Sequence, residues 1–313
     1  MDFTTKINIP AVKDRITYKN SIVMLGSCFA NEIGQYLKDY QFNIMINPFG
    51  TLYNPSSIAN SIERLSTCTL FTANDVIESN NIFTSFYHHS SISQASVNLF
   101  LERANNELIN NSELFHKADT VIITLGTAYI YRHIARNIVV TNCHKIKASE
   151  FERKLLSVKE CVIELEKIIT AVKSFTQTIN TKLIFTVSPI RHIKDGAHKN
   201  QISKATLMVA IEEIQQKYDF ISYFPAYEIM MDELRDYRFY ASDMLHPSPL
   251  AIECIFERFK ETFIEPHTQT TMQEAIRLTK AQNHRPLFPD SKEYAKFKLK
   301  LEQDLENFNK HIK

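Results

Sequence analysis

The run Leu25-Gly26-Ser27-Cys28-Phe29-Ala30 carries an apolar strand through a glycine into a serine and then into a helix. At such a turn a serine hydroxyl stands at the strand's carboxyl end, and the first backbone N–H groups of the helix point into the same space. That placement suits attack on a carbonyl whose oxygen the serine's own N–H helps to polarise. An ordinary helix cap is the competing reading, because Ser is a preferred N-cap, but position N3 is Ala30 and no capping box is written here. Cys28 offers a thiol at the same helix start, with a side chain expected to point into helix packing.

Serine needs a base, ideally an imidazole held in one tautomer by a carboxylate. Ser242-Asp243-Met244-Leu245-His246-Pro247 supplies both groups three residues apart, on one side of a tight turn, with Pro247 holding His246 extended before the last helix of the sheet region. A surface histidine beside a turn aspartate is the alternative for the pair taken alone. Ser188-Pro189-Ile190-Arg191-His192 follows another strand end, where Arg191 or His192 suits an anionic or sugar substrate, or a salt-bridged loop. His88-His89 and Asn142-Cys143-His144 lack recurring metal-ligand spacing and read as lining or structural residues, so no metal or cofactor is expected.

These residues need a sheet to converge on. Residues 21–25, 43–46, 120–125, 182–187 and 220–224 are continuous apolar, β-branched runs, the pattern of parallel strands covered on both faces. Between them, Val158, Val162, Leu165, Ile169 and Val172 fall at helical spacings, a second helix spans about 199–217, and a third runs from Pro249 to Phe263. Strands alternating with helices predict a doubly wound, open parallel sheet in three α/β layers. Hairpin insertions are expected at Leu70–Ser93 and Ala128–Ile146, both leaving the sheet at strand carboxyl ends, the ligand side of such folds. Past Pro266 the pattern is helical, broken at 285–289, and ends in a charged run; the expectation is one α/β domain over 1–266 with a helical extension over 267–313 packed on it.

Composition narrows the function. The 313 residues are 44% hydrophobic, ample for a large core, and 36 Lys plus Arg nearly balance 35 Asp plus Glu. No basic block attracts nucleic acid and no apolar run reaches membrane-span length, so neither is an expected partner. The first residues lack a secretory pattern, and the five cysteines show no paired spacing; reduced thiols in the cytoplasm are expected, with the oligomeric state open. Only 5 glycines occur where average usage gives roughly 22. Gly26, Gly50, Gly126 and Gly196 fall at strand-end turns, and Gly34 alone falls inside a helix.

Gly26-Ser27-Cys28-Phe29-Ala30 resembles the signature of the GSCFA family, which in turn resembles the SGNH (GDSL-type) hydrolases, with a serine near the N-terminus and D-x-x-H near the C-terminus. Residues 47–55, 125–128, 142–145, 188–192 and 243–247 look like further blocks of that family in order. The resemblance implies Ser27 as nucleophile, His246 as general base, Asp243 as its orienting acid, and the backbone N–H groups of Ser27 and Gly50 as oxyanion donors. SGNH enzymes also carry G-x-N-D, whose Asn donates to the oxyanion; here the matching residues are Gly126, Thr127, Ala128 and Tyr129. Asn142 or Asn47 is the expected substitute, and Tyr129, His144, Arg191 and His192 are the expected substrate contacts. The expected activity is removal of small O-acyl groups, carbohydrate esters among them, through an acyl-serine. Two rivals are an O-acyltransferase using the same residues and a catalytically weak module that binds a glycan or peptide.

Overall fold

The five apolar runs pair as expected, each within one residue of its expected ends, in a computed structural model that describes residues 5–178 and 181–312. In chain order the first half comprises β1 (Ser21–Gly26), α1 (Cys28–Asp39), β2 (Asn43–Ile46), α2 (Pro55–Thr67), β3 (Val76–Ser79), β4 (Ile82–Ser85), α3 (Val97–His116) and β5 (Thr120–Leu125). Next come β6 (Tyr129–His133), β7 (Ile138–Val140), β8 (Phe151–Leu155), α4 (Val158–Phe175), β9 (Lys182–Val187), α5 (Ala197–Lys217) and β10 (Ile221–Phe224). A short α6 (Ala226–Glu228), α7 (Pro249–Phe263), α8 (Pro266–Gln282) and α9 (Lys292–Ile312) complete the chain.

The central sheet runs β2-β1-β5-β9-β10, and all its pairings are parallel. Counting sheet strands alone, this is the order 2-1-3-4-5, with the direction of winding reversing between β1 and β5. Ligands of open α/β sheets bind outside the strand carboxyl ends at that reversal. Side chains alternate across the sheet: Val23, Leu25, Val121, Ile123, Leu183 and Phe185 face a core shared with α2, α3, α4 and α5. Ile22, Met24, Ile122 and Ile184 face the other core, with α1 and α7. Both faces are apolar, which is why the strands read as continuous runs rather than alternating ones.

Gly26 lets β1 and β5 approach at their exits. Its φ is +139°, and a Cβ there would stand 2.1 Å from the Thr124 carbonyl oxygen. The hairpin expected over Leu70–Ser93 is β3–β4, turning on Asn80 and Asn81, both at positive φ as a two-residue hairpin turn requires. It follows α2 rather than a sheet strand. The second insertion is larger than a hairpin: β6 and β7 pair, and β8 adds on the other edge of β6. The two insertions touch where the Thr141 N–H donates to the Phe86 carbonyl at 2.8 Å.

Beyond α7, α8 packs on α1, with the Thr279 hydroxyl donating to the Asp39 carbonyl. On α9, Phe308 is buried against Ala275, Leu278 and Tyr18, and Tyr18 stacks on Phe42 just after α1. No helix among the described residues is long and apolar enough to cross a membrane.

Candidate active site

Ser27 occupies the N-cap of α1 with extended backbone, yet its side chain makes no capping hydrogen bond. It is fully buried, and its Oγ has no hydrogen-bond partner among the described residues. A hydroxyl held dry and unpaired costs free energy on the order of 1–3 kcal/mol, so the arrangement is not explained by helix capping. It leaves the oxygen with both lone pairs and its proton unclaimed at the carboxyl end of β1.

Asp243 and His246 form the expected pair. His246 Nδ1 lies 2.6 Å from Asp243 Oδ2, while Asp243 Oδ1 accepts the N–H groups of Leu245 and His246, both at 2.9 Å. Those two backbone donors, then the imidazole, hold the Asp243 carboxyl down at about 2. The turn is closed by the Ala241 N–H donating to the His246 carbonyl and by Met244 at φ 59°. With Nδ1 engaged, Nε2 is the nitrogen left for proton transfer. Both side chains are about half exposed, whereas Ser27 is fully buried.

The two motifs share one edge of the sheet. The Arg191 N–H, in the loop that leaves β9, donates to the Leu245 carbonyl at 3.3 Å, which pins the Asp243–His246 turn to the carboxyl ends of the strands. Ser27 at the exit of β1, Gly126 after β5 and Ser188–His192 after β9 thus line neighbouring strand ends. Arg191 donates from its Nη2 toward the Met231 sulfur and sits over the Tyr240 ring at 5.9 Å, with Nε buried and unpaired. Among the described residues it makes no salt bridge, and its contacts are the sulfur and the ring.

The expected oxyanion donors are engaged within the protein. The Ser27 N–H donates to the Thr124 carbonyl at 3.1 Å, and the Gly50 N–H to the Asn47 carbonyl at 2.8 Å. Asn47 Oδ1 accepts the Gly26 N–H and its Nδ2 donates to Asn31 Oδ1, so this side chain braces the turn before Ser27. Asn142 Oδ1 accepts the His144 N–H at 2.8 Å, an Asx turn in the second insertion.

His144 is buried and bonds from Nε2 to the Ser85 carbonyl, and burial lowers its pKa. It joins the two insertions together. Tyr129, at the start of β6, lies under the Arg153 guanidinium at 3.9 Å. His88 is packed among Phe49, Phe71 and Phe100 with Nδ1 on the Ser85 hydroxyl, and burial drives its pKa down to about 3. Burial pushes the Cys28 thiol up, which disfavours the thiolate a cysteine nucleophile needs. Among the described residues no three His, Cys, Asp or Glu side chains are grouped to hold a metal ion. Two surface clefts, of about 550 Å³ and 590 Å³, are lined by none of Ser27, Asp243 and His246.

One residue of this region has no counterpart among the sequence expectations. Lys204 of α5 is 1% exposed, and its Nζ donates at 2.7 Å to the carbonyls of both Gly126 and Ser188, tying the exits of β5 and β9 together. Burial lowers its pKa to about 7, and the nearby Cys28 raises it. The signal was in the spacing: Lys204, Leu207, Ile211 and Ile214 form one helical stripe whose other members are apolar and buried.

Fold and site together define a three-layer α/β protein with a serine at the winding reversal and an aspartate-oriented histidine on the same edge. A sequence profile described as the GSCFA family matches residues 21–259, so the chain belongs to that family. No curated protein matches the chain.

Proposed function

We propose that this protein is a serine esterase or deacylase of the SGNH kind, acting on small O-acyl esters, carbohydrate esters among them. The observation that carries this reading is the buried, unpaired Ser27 Oγ at the same sheet edge as an imidazole already oriented by a carboxylate. Ser27 Oγ attacks the ester carbonyl carbon while its proton passes to His246 Nε2. The tetrahedral oxyanion then collapses, the C–O bond to the alcohol breaks, and the alcohol leaves with the proton from Nε2. Water, deprotonated by the same nitrogen, resolves the acyl-serine to acid and free serine. Because Ser27 is fully buried and His246 is not, the loops around the exits of β1 and β9 must part to admit substrate.

The same burial favours a second reading, acyl transfer to a bound alcohol, since a site that keeps water from the acyl-serine protects it from hydrolysis. A screen of short-chain aryl esters with and without added sugars or alcohols separates the two. Hydrolysis unaffected by acceptor supports the esterase; acylated acceptor formed at the expense of hydrolysis supports transfer. No turnover and no labelling of Ser27 by an organophosphonate would sink both and leave a binding module.

A further inference from the structure

His192 stands where the site lacks a donor. The Ser27 and Gly50 N–H groups are engaged by Thr124 and Asn47, the Asn47 amide is engaged by Asn31, and Ala128 has no side-chain donor. In the loop after β9 the His192 backbone N–H donates to Asn200 Oδ1 at 2.9 Å, fixing the residue to the start of α5. Its ring meets the Tyr53 ring edge-on, with centroids 5.7 Å apart and planes at 83°. Tyr53 is itself held by its carbonyl, which accepts the N–H groups of Gly126 and Thr127. The imidazole is therefore braced from two sides.

Its Nε2 is buried and has no hydrogen-bond partner among the described residues, and it lies 3.4 Å from the position a Cβ on Gly126 would take. Gly126 follows β5, the direct neighbour of β1, and Gly26 is in register with Thr124. A nitrogen over Gly126 thus lies one strand away from Ser27, at the same height on the sheet. Any side chain at 126 would enter this space, which gives the glycine a reason independent of its own backbone angles.

On the acyl-serine reading given above, we propose that the His192 Nε2–H is the side-chain donor that stabilises the oxyanion formed when Ser27 attacks, replacing the amide missing at Ala128. The role needs a proton on Nε2, which in the neutral ring means the Nε2–H tautomer. Burial, then the neighbouring charges of Lys204 and His246, keep the ring neutral by lowering its pKa to about 4. Neutral histidine in the role of a hydrogen-bond donor to a developing oxyanion has a known physical basis: the donor is fixed in advance and needs no reorganisation during the reaction.

The test uses the full chain, its esterase activity and the rate at which a fluorophosphonate labels Ser27. His192→Phe keeps the ring's bulk and removes the donor; His192→Gln returns an N–H near the Nε2 position. Expected is a loss of about a hundredfold in kcat with little change in KM for His192→Phe, a parallel fall in labelling rate, and recovery of most of that loss in His192→Gln. Wild type that labels and turns over while His192→Phe does so equally well overturns the role of His192 and leaves the serine reading standing. Wild type that does neither overturns both. Side-chain ¹⁵N NMR of the wild type gives an answer that needs no activity and no variant that folds: His192 neutral with its proton on Nε2 at pH 6 is expected, and a proton on Nδ1 alone overturns the proposal.

Discussion

Gly26 and Thr124 approach so closely that a Cβ on the first would stand 2.1 Å from the carbonyl oxygen of the second, the same oxygen that receives the Ser27 N–H. The φ of +139° adds backbone strain for any other residue. Gly26→Ala must therefore part β1 from β5 where the site is built. The expected cost is on the order of 3 kcal/mol or more, from strain and overlap together. Urea unfolding of the variant checks this; a midpoint equal to wild type would contradict the close approach.

Ser27→Ala is expected to go the other way. Among the described residues the hydroxyl caps nothing and pairs with nothing, so its removal relieves a buried unsatisfied group and should leave stability unchanged or raise it by about 1 kcal/mol. An ordinary N-cap serine would instead lose about 1 kcal/mol. The same variant should lose all organophosphonate labelling. Labelling that persists, or that moves to Cys28, would show a different nucleophile.

Asp243 stays ionised across the working pH range, because two backbone N–H groups and the imidazole hold it at about 2. Over pH 5 to 8 Asp243→Asn is expected to lower turnover, by about 10³-fold or more at neutral pH, through a misoriented or wrongly protonated ring. His246→Ala should suppress turnover and Ser27 labelling nearly as far as Ser27→Ala does, since members of one catalytic unit do not contribute additively. Steady-state kinetics over that pH range measure both. Full activity in His246→Ala would remove the histidine from the mechanism.

Lys204 makes stability depend on alkaline pH. Its folded pKa of about 7 lies below its ordinary 10.5, so the native state binds fewer protons than the unfolded state between those values. The cost of burying the cation is complete below pH 7 and is relieved as pH rises toward 10.5, so this group makes stability rise with pH in that window, by a few kcal/mol at most (~1.4 per unit). Lys204→Met should flatten the rise, while leaving the Gly126 and Ser188 carbonyls without their donor. Unfolding midpoints of both proteins at pH 7 and pH 9.5 measure it; parallel changes would mean that the amine does not titrate in this window.

The central strands were readable because both faces of the sheet are buried, so β5, Thr120–Leu125, shows six buried residues in a row. The β8 strand was not: Phe-Glu-Arg-Lys-Leu has exposed charges in its middle and pairs only along the insertion. The α3 helix was hidden as well, since Asn105, Asn106, Asn110 and Asn111 are weak helix formers that tertiary packing of Phe100, Ala104 and Leu108 overrides. Within the site, the Asp243–His246 pair was legible because its geometry is local, three residues in one turn. The use of the Ser27 and Gly50 N–H groups was not, because their acceptors, Thr124 and Asn47, are set by strand pairing and turn closure rather than by residue type. Lys204 reads as a solvated helix residue unless its place on the apolar stripe is noticed.

The short pairing of Ile16 with Ile264 has a consequence for biosynthesis. The Ile16 N–H donates to the Phe263 carbonyl and the Glu265 N–H donates back to Ile16, joining residues roughly 250 positions apart. At the usual ~5–20 residues per second of translation, the segment ahead of β1 waits on the order of tens of seconds for its partner to be made. β10 lies at the edge of the sheet, and α7, which covers the face on which α1 packs, is synthesised later still. A nascent chain stalled before Phe263 therefore carries the Ser27 turn on a helix whose apolar face has yet to receive the whole of α7.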